Sequence, residues 1–169
     1  MKKDERKKRL EDLLKLQKQK EIMQERLQEE KMVREAFEEA IGDELEFEVL
    51  SFDETELIIK DFTNTFPIAF WNRIEWTNKS VKHQAVNSGE ISSIPLILNK
   101  KGFSTSSPIY VFWGMGNYPC IRTTLEAVLL EKFDEIIWVG SDMDYYCPIQ
   151  KYVIEFFHDG SINIGWVNK

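Results

Sequence analysis

The chain is poor in the residues from which metal and nucleophilic centres are most often built. Its 169 residues include only two cysteines and two histidines. No Cys-x-x-Cys or His-Glu-x-x-His pattern accompanies them, so a zinc site is not indicated. Two of each residue always allow some Cys–His pair to be drawn, which is weak support for nucleophilic catalysis. Cys120 and Cys147 are expected to be reduced thiols, as in the cytosol.

Long hydrophobic runs are also absent. No apolar segment of a signal peptide follows the basic start MKKDERKKRLEDLL, and no run reaches the roughly 18 apolar residues of a membrane span. The sequence therefore predicts a cytoplasmic protein that does not associate with membranes. Hydrophobic residues make up 43% of the chain and aromatic residues 12%, which is ample for a packed core.

Glycine and proline are missing from Asp4 to Ala40, where Glu, Lys, Arg, Gln and Leu dominate. These are strong helix formers, and Gly42 is a plausible stop. The composition predicts two parts: a long charged helix over residues 1–41 and a single domain over residues 42–169.

The apolar residues of this helix are spread unevenly. We expect its second half to pack on the domain through Val33, Phe37 and Ile41, and its first half to project or self-associate. A continuous heptad seam is absent, because Lys20 and Arg34 occupy positions where the repeat needs apolar residues.

The two parts differ in charge. Residues 1–40 contain 12 of the 22 basic and 11 of the 29 acidic residues, so residues 41–169 keep 10 basic and 18 acidic residues, a balance of −8. Such a domain repels phosphate backbones, which disfavours nucleic-acid binding. A basic protein partner would be attracted to it instead.

After Gly42 the apolar period changes to two. Strands over residues 45–50 and 56–62 are predicted to form a hairpin, with a third short strand in FPIAFW. Residues 72–107 are expected to be irregular, with one strand at 94–98.

Regular structure returns at PIYVFWGMG. We predict a buried strand at 109–113, a helix from Thr123 or Thr124 to Phe133, a second buried strand in EIIWVG, and a closing hairpin around Asp159-Gly160. The pattern indicates an α+β fold, in which a long N-terminal helix precedes a mostly antiparallel sheet of five to seven strands with one packed helix.

The segment VGSDMDYYC, residues 139–147, raises the question of metal chemistry. Asp142 and Asp144 match the first two ligands of an EF-hand loop, but Tyr146 and Val153 stand where the fifth and twelfth residues should be ligands. The Asp-x-Asp also resembles the motifs of haloacid dehalogenases and of glycosyltransferases. The haloacid dehalogenase motif needs Ser or Thr two positions after its second aspartate, where this chain has Tyr146. WGMGN lacks the remaining residues of a nucleotide-binding loop. Neither a metal nor a cofactor is predicted.

The same segment fits protein recognition better than catalysis. We expect Asp142, Asp144, Tyr145 and Tyr146 to lie on a connection between strands and to bind a partner. Tyrosine rings offer rigid contact area, and carboxylates attract a basic protein. His158 is expected to be a solvated turn residue.

The C-terminal third, from EIIWVG through SDMDYY to KYVIEFFHDGSINIGW, resembles small bacterial immunity proteins of contact-dependent or polymorphic toxin systems. The resemblance implies a non-enzymatic cytosolic inhibitor whose acidic surface blocks a cationic toxin, and it carries over no contact residue. Two alternatives stay open. One is a structural or adaptor protein that associates through its N-terminal helix, and the other is a hydrolase of unknown substrate.

Overall fold

Seven strands form one antiparallel sheet in the computed structural model, which describes residues 2–41, 47–115, 118–131, 133–136, 140 and 142–167. The strands are β1 (Glu48–Val49), β2 (Val81–Val86), β3 (Ile109–Trp113), β4 (Ile121–Thr123), β5 (Met143–Cys147), β6 (Tyr152–Phe156) and β7 (Ile162–Val167). Their order across the sheet is β1-β4-β3-β5-β6-β7-β2. The predicted α+β class and the strand number are confirmed.

Helices cover both faces of the sheet. They are α1 (Lys2–Ile41), α2 (Phe52–Thr65), α3 (Ile94–Lys100) and α4 (Phe133–Ile136), with a 3-10 helix at Ser88–Ser93 and a π-helical turn at Ala127–Glu131. One apolar core joins the second half of α1, α3 and the π-helical turn to the sheet. A second core joins α2 to the opposite face. The structure therefore has more packed helices than the one that the sequence predicts.

Helix α1 docks on the sheet through its second half, as predicted. Val33 and Phe37 are buried, and the Phe37 ring lies 5.5 Å from the ring of Phe47 and 5.7 Å from that of Trp113, centroid to centroid. The side chain of Ile41 and the helix stop at Gly42 lie outside the described residues. The first half of α1 presents its large apolar side chains to solvent.

Helix α2 corrects the predicted strand at 56–62. Ser51 and Glu54 form a capping box, in which Ser51 Oγ accepts from Glu54 N at 3.3 Å and Glu54 Oε2 accepts from Ser51 N at 2.9 Å. Ile58 and Phe62 then follow at the spacing of one turn and face the second core. The capping box outweighs the strand preference of the apolar run that follows it.

The region 72–107 is more regular than predicted, since it contains β2, the 3-10 helix and α3. The strand predicted at 94–98 is wrong, because these residues begin α3. Ile94 and Leu98 are buried one turn apart, and Pro95 lies in the first turn, where a missing N–H leaves no bond unmade.

Two further strand predictions are corrected near the sheet ends. Only Glu48–Val49 of the segment 45–50 is described as a strand, and it pairs with β4 rather than with residues 56–62. The segment FPIAFW contributes only an isolated bridge between Ile68 and Ile74. Residues 45 and 46 lie outside the described residues.

The second buried strand lies further along the chain than predicted. Glu135 and Ile136 of EIIWVG belong to α4, and residues 137–139 lie outside the described residues. The strand between β3 and β6 is β5, which occupies most of the segment that the sequence suggested was a loop.

The predictions of strand β3 and of the closing hairpin are confirmed. The single helix predicted from Thr123 or Thr124 to Phe133 is wrong in its bounds, because the described residues form a π-helical turn at Ala127–Glu131 and α4 begins at Phe133. Strand β3 is buried inside the sheet, and Thr124 caps the following helical segment by accepting from Ala127 N at 3.3 Å. Strands β6 and β7 form the predicted hairpin, with Gly160 at a φ of 83° in its turn. Asp-Gly suits this turn because glycine adopts a positive φ without strain.

The docking of α1 predicts the effect of two alanine substitutions. Phe37→Ala should lower the free energy of unfolding by about 3–5 kcal/mol, the usual cost of truncating a buried phenylalanine. Leu14→Ala, at an exposed position of the same helix, should change it by less than about 0.5 kcal/mol. Urea titrations followed by circular dichroism measure both. Similar small losses for the two variants would show that α1 is not packed on the sheet.

Candidate functional site

Three polar side chains lie next to one another on the α2 face of the sheet, in a row that has an apolar residue at each end. The Cα partners along this row, from β3 to β2, are Phe112, Asp144, Glu155, Asn163 and Ala85. Asp144, Glu155 and Asn163 are buried. Asp144 and Glu155 are directly opposite on neighbouring strands, where two like charges repel. The two carboxylates therefore need positive charge or hydrogen-bond donors from residues outside the strands.

Arg73 supplies most of this compensation. Its Nε donates to Oε2 of Glu155 at 2.9 Å and its Nη2 donates to Oγ of Ser161 at 2.7 Å. A second carboxylate, Asp159, lies 3.8 Å from Nη1, and the guanidinium lies 4.0 Å from the ring centroid of Phe157. The arginine is thus held at the end of the sheet where β6 turns into β7.

Trp76 gives Glu155 its second donor. Its Nε1 donates to Oε2 of Glu155 at 2.9 Å. The indole lies against the backbone of Gly165, where an added Cβ would collide with the ring. Glycine at this position lets the indole reach the carboxylate, so Glu155 is buried with two charged or polar partners.

Asp144 is not compensated in the same way. It is 9% exposed, and its Oδ1 has no hydrogen-bond partner among the described residues. Burial raises the pKa of Asp144 well above its usual range, the charges of Glu155 and Asp142 raise it further, and only Arg73 opposes them. Its ionised form is therefore costly in the folded protein.

The structure separates the four residues predicted to bind a partner. Asp144, Tyr145 and Tyr146 lie within β5 and are buried, so their placement on a loop is wrong. Both tyrosine side chains form hydrogen bonds within the chain. Tyr145 donates to the carbonyl of Val128 at 3.1 Å, and Tyr146 donates to Oδ2 of Asp61 at 2.5 Å. Partner binding by these residues stays a prediction, and burial of three of them leaves Asp142 as the member at the surface.

Asp142 lies at the same end of the sheet as Arg73. Its Oδ1 accepts from the backbone N of His158 at 2.8 Å and lies 2.9 Å from Nδ1 of that ring. His158 is an exposed turn residue, as predicted. We call Asp142, Asp144, Glu155 and Asp159 the acidic end of the sheet.

An exposed pair of aromatic side chains lies close to the acidic end. Ala69 N donates to the carbonyl of Arg73 at 2.7 Å, which closes a turn over residues 69–73, here called the aromatic turn. Phe70 at its tip is 92% exposed and Trp71 is 54% exposed. The sequence prediction of a strand in FPIAFW missed this turn. Asn72 is the sequence signal that could have predicted the turn, because asparagine tolerates a positive φ, and here its φ is 59°.

Neither metal binding nor thiol chemistry finds support in the described residues. Among them, no group of three or more His, Cys, Asp or Glu side chains is arranged to hold a metal ion. Both cysteines are free and buried, and burial raises the pKa of Cys120 to about 12. A thiol in this state is a poor nucleophile. No helix in the described ranges is long and apolar enough to cross a membrane.

Comparison with known families assigns the chain. The sequence model of the family described as CdiI immunity protein EcoliA0-like matches residues 30–165. The chain belongs to this family. Its members are immunity proteins of contact-dependent inhibition toxin systems, so this immunity protein has a toxin-neutralising binding role. Immunity proteins of this kind are in general not enzymes. A search of curated proteins finds no match to the chain.

The raised pKa of Asp144 predicts how Asp144→Asn changes stability with pH. A raised folded-state pKa means that the wild type is most stable below the unfolded pKa of about 3.9 and loses stability as pH rises through the folded value. Asparagine carries no charge, so the variant should match the wild type near pH 4 and exceed it by about 1–3 kcal/mol near pH 8.

Urea titrations at both pH values measure this difference. Glu90→Gln is the control, because Glu90 is exposed and accepts a hydrogen bond from Nδ2 of Asn87 that an amide oxygen retains. Its stability difference from the wild type should be the same at both pH values. The same stability difference between Asp144→Asn and the wild type at both pH values would contradict a raised pKa for Asp144 in the folded protein.

Proposed function

We propose that this immunity protein neutralises a cationic toxin domain by binding it at the acidic end of the sheet. The observation that carries this proposal is the concentration of carboxyl groups there. Asp142, Asp144, Glu155 and Asp159 converge on one end of β5, β6 and β7, with Arg73 as the cation bound among them. Residues 41–169 as a whole carry 18 acidic and 10 basic residues. A basic partner is therefore attracted from a distance and oriented on approach.

Two of these carboxylates are available to a partner. The side chain of Asp159 is 53% exposed and that of Asp142 is 39% exposed, whereas Glu155 is 5% exposed. Arg73 is only 18% exposed and is directed at Glu155 and Ser161. The charge that faces solvent at this end is thus mainly negative.

Inhibition by contact needs no chemistry from the immunity protein itself. Burial raises the pKa of the Cys147 thiol as well as that of Cys120, so both thiols are held in their unreactive protonated form. We therefore propose a non-enzymatic mechanism in which the bound immunity protein covers part of the toxin surface.

Removing the two exposed charges tests the electrostatic part of this proposal. Asp142→Asn with Asp159→Asn retains the oxygens that accept from His158 and Ser161 but removes two negative charges. The association rate with the cognate toxin domain should fall roughly tenfold at low ionic strength and by less at high ionic strength. Stopped-flow fluorescence or biolayer interferometry gives the rate.

The control variant removes the same charge elsewhere. Glu90 lies in the 3-10 helix and Glu126 directly precedes the π-helical turn, on the other face of the sheet, and both residues are exposed. Glu90→Gln with Glu126→Gln should leave the association rate within about twofold of the wild type, since it leaves the binding end intact. Equal rates for the two double variants would contradict binding at the acidic end.

A second function, association through the first half of α1, is favoured by a separate observation. Leu13, Leu16, Met23 and Leu27 are each about half exposed or more, and they share one side of the helix. The family match begins at residue 30 and leaves this part of α1 outside. We propose that this stripe joins two copies of the chain, or joins the chain to another helix.

Charge introduced into the stripe tests self-association. Leu13→Glu with Leu16→Glu should lower the mass measured by light scattering to that of one chain, because burying a carboxylate in the apolar contact between two stripes is unfavourable. Lys15→Glu with Lys18→Glu changes the charge more, but on the far side of the helix, and should leave the mass unchanged. A wild type that has the mass of one chain at every concentration would exclude self-association.

A further inference from the structure

The aromatic turn exposes two large apolar rings side by side. Phe70 is the most exposed of the large hydrophobic residues in the described part of the chain, at 92%, and Trp71 follows it directly. Their ring centroids are 4.4 Å apart in an edge-to-face arrangement. A Phe–Trp pair offers an apolar area of the kind that dominates interface energetics. Among the described residues, little of the Phe70 ring is covered by the rest of the chain.

The turn that carries these rings is firmly held. Besides the Ala69–Arg73 bond, Asn72 N donates to the carbonyl of Ala69 at 3.0 Å. The next residue is Arg73, whose guanidinium is bound by Glu155 and Ser161. A partner therefore meets rings whose backbone is already ordered, and binding loses less conformational entropy than it would with a mobile loop.

The surroundings of the turn indicate the chemistry of the partner. Arg73 places the base of the turn beside Asp159 and over the ring of Phe157. Apolar rings next to exposed carboxylates complement an apolar pocket that has lysine or arginine at its rim. Such side chains can pair with the carboxylates and also lie against the aromatic faces.

We propose that the aromatic turn is the anchor of the toxin interface, with Phe70 and Trp71 inserted in an apolar pocket of the toxin that has basic residues at its rim. This inference rests on the proposed function, which it deepens. The acidic end speeds association, whereas the inserted rings slow dissociation. The two contributions are therefore separable by kinetics.

Single alanine substitutions in the full-length protein test the anchor. Phe70→Ala and Trp71→Ala should each raise the Kd for the cognate toxin domain by about thirtyfold or more, the range of a binding hot spot. The increase should appear in the dissociation rate and should change little with ionic strength. Both side chains are exposed, so the thermal unfolding of the variants should match that of the wild type.

Ile149→Ala is the matched control. Ile149 is 70% exposed and lies in the turn between β5 and β6, at the opposite end of β6 from Arg73 and Asp159. Its truncation removes exposed apolar area without touching the acidic end, and the Kd should stay within about twofold of the wild type.

Each other outcome overturns the proposal in a recognisable way. Unchanged Kd values for both aromatic variants refute the anchor but leave binding by the acidic end intact. A wild type that does not bind the toxin domain refutes the proposed function and the anchor together. A loss of mass by light scattering in the aromatic variants alone would assign the turn to contacts between copies of this chain instead.

Discussion

The buried carboxylate of Glu155 is the constraint on which the α2 face depends. A buried charge is tolerated only with close partners, and Glu155 has two, Arg73 and Trp76, at 2.9 Å each. Both donors belong to a segment that precedes β6 by about eighty residues. The ion pair and the indole bond therefore fasten the whole segment between α2 and β2 onto the sheet. The same bonds place Trp76 over Gly165 and fix the base of the aromatic turn.

The bonds to Glu155 leave its neighbour Asp144 with fewer stabilising partners. Asp144 faces Glu155 across the strands, and it shares the opposing charge of Arg73 without a hydrogen bond to its Oδ1 among the described residues. Natural proteins often break such local rules where function requires it. Burial and the neighbouring carboxylates favour the neutral form of Asp144, so the negative field at this end of the sheet comes from the exposed carboxylates Asp142 and Asp159. We interpret the raised pKa of Asp144 as a consequence of its burial beside Glu155 and Asp142.

The candidate site was predictable only in part. The resemblance of the C-terminal third to immunity proteins is confirmed by a family match that extends over residues 30–165. The acidic character of the domain follows directly from composition. The location of the site does not follow from composition. Residues 143–147 alternate Met143 and Tyr145 with Asp144 and Tyr146, and the aspartate suggested an exposed connection because no nearby residue in the sequence could accommodate a buried carboxylate.

The capping box of Ser51 and Glu54 could have predicted a helix in place of the strand at 56–62, because its two residues are only three positions apart.

The sequence by itself determined the features that depend on residues a few positions apart: the long helix α1, strand β3, the β6–β7 hairpin and the surplus of acidic residues. Helical propensity, alternation and turn chemistry act over one or two turns of chain, so they can be read locally. Tertiary structure decided which acidic and aromatic residues face solvent. Arg73 and Glu155 are separated by 82 positions, and their pairing buries Glu155 while the neighbouring Phe70 and Trp71 stay exposed. No local pattern contains that pairing, because it arises only when the sheet brings the two segments together.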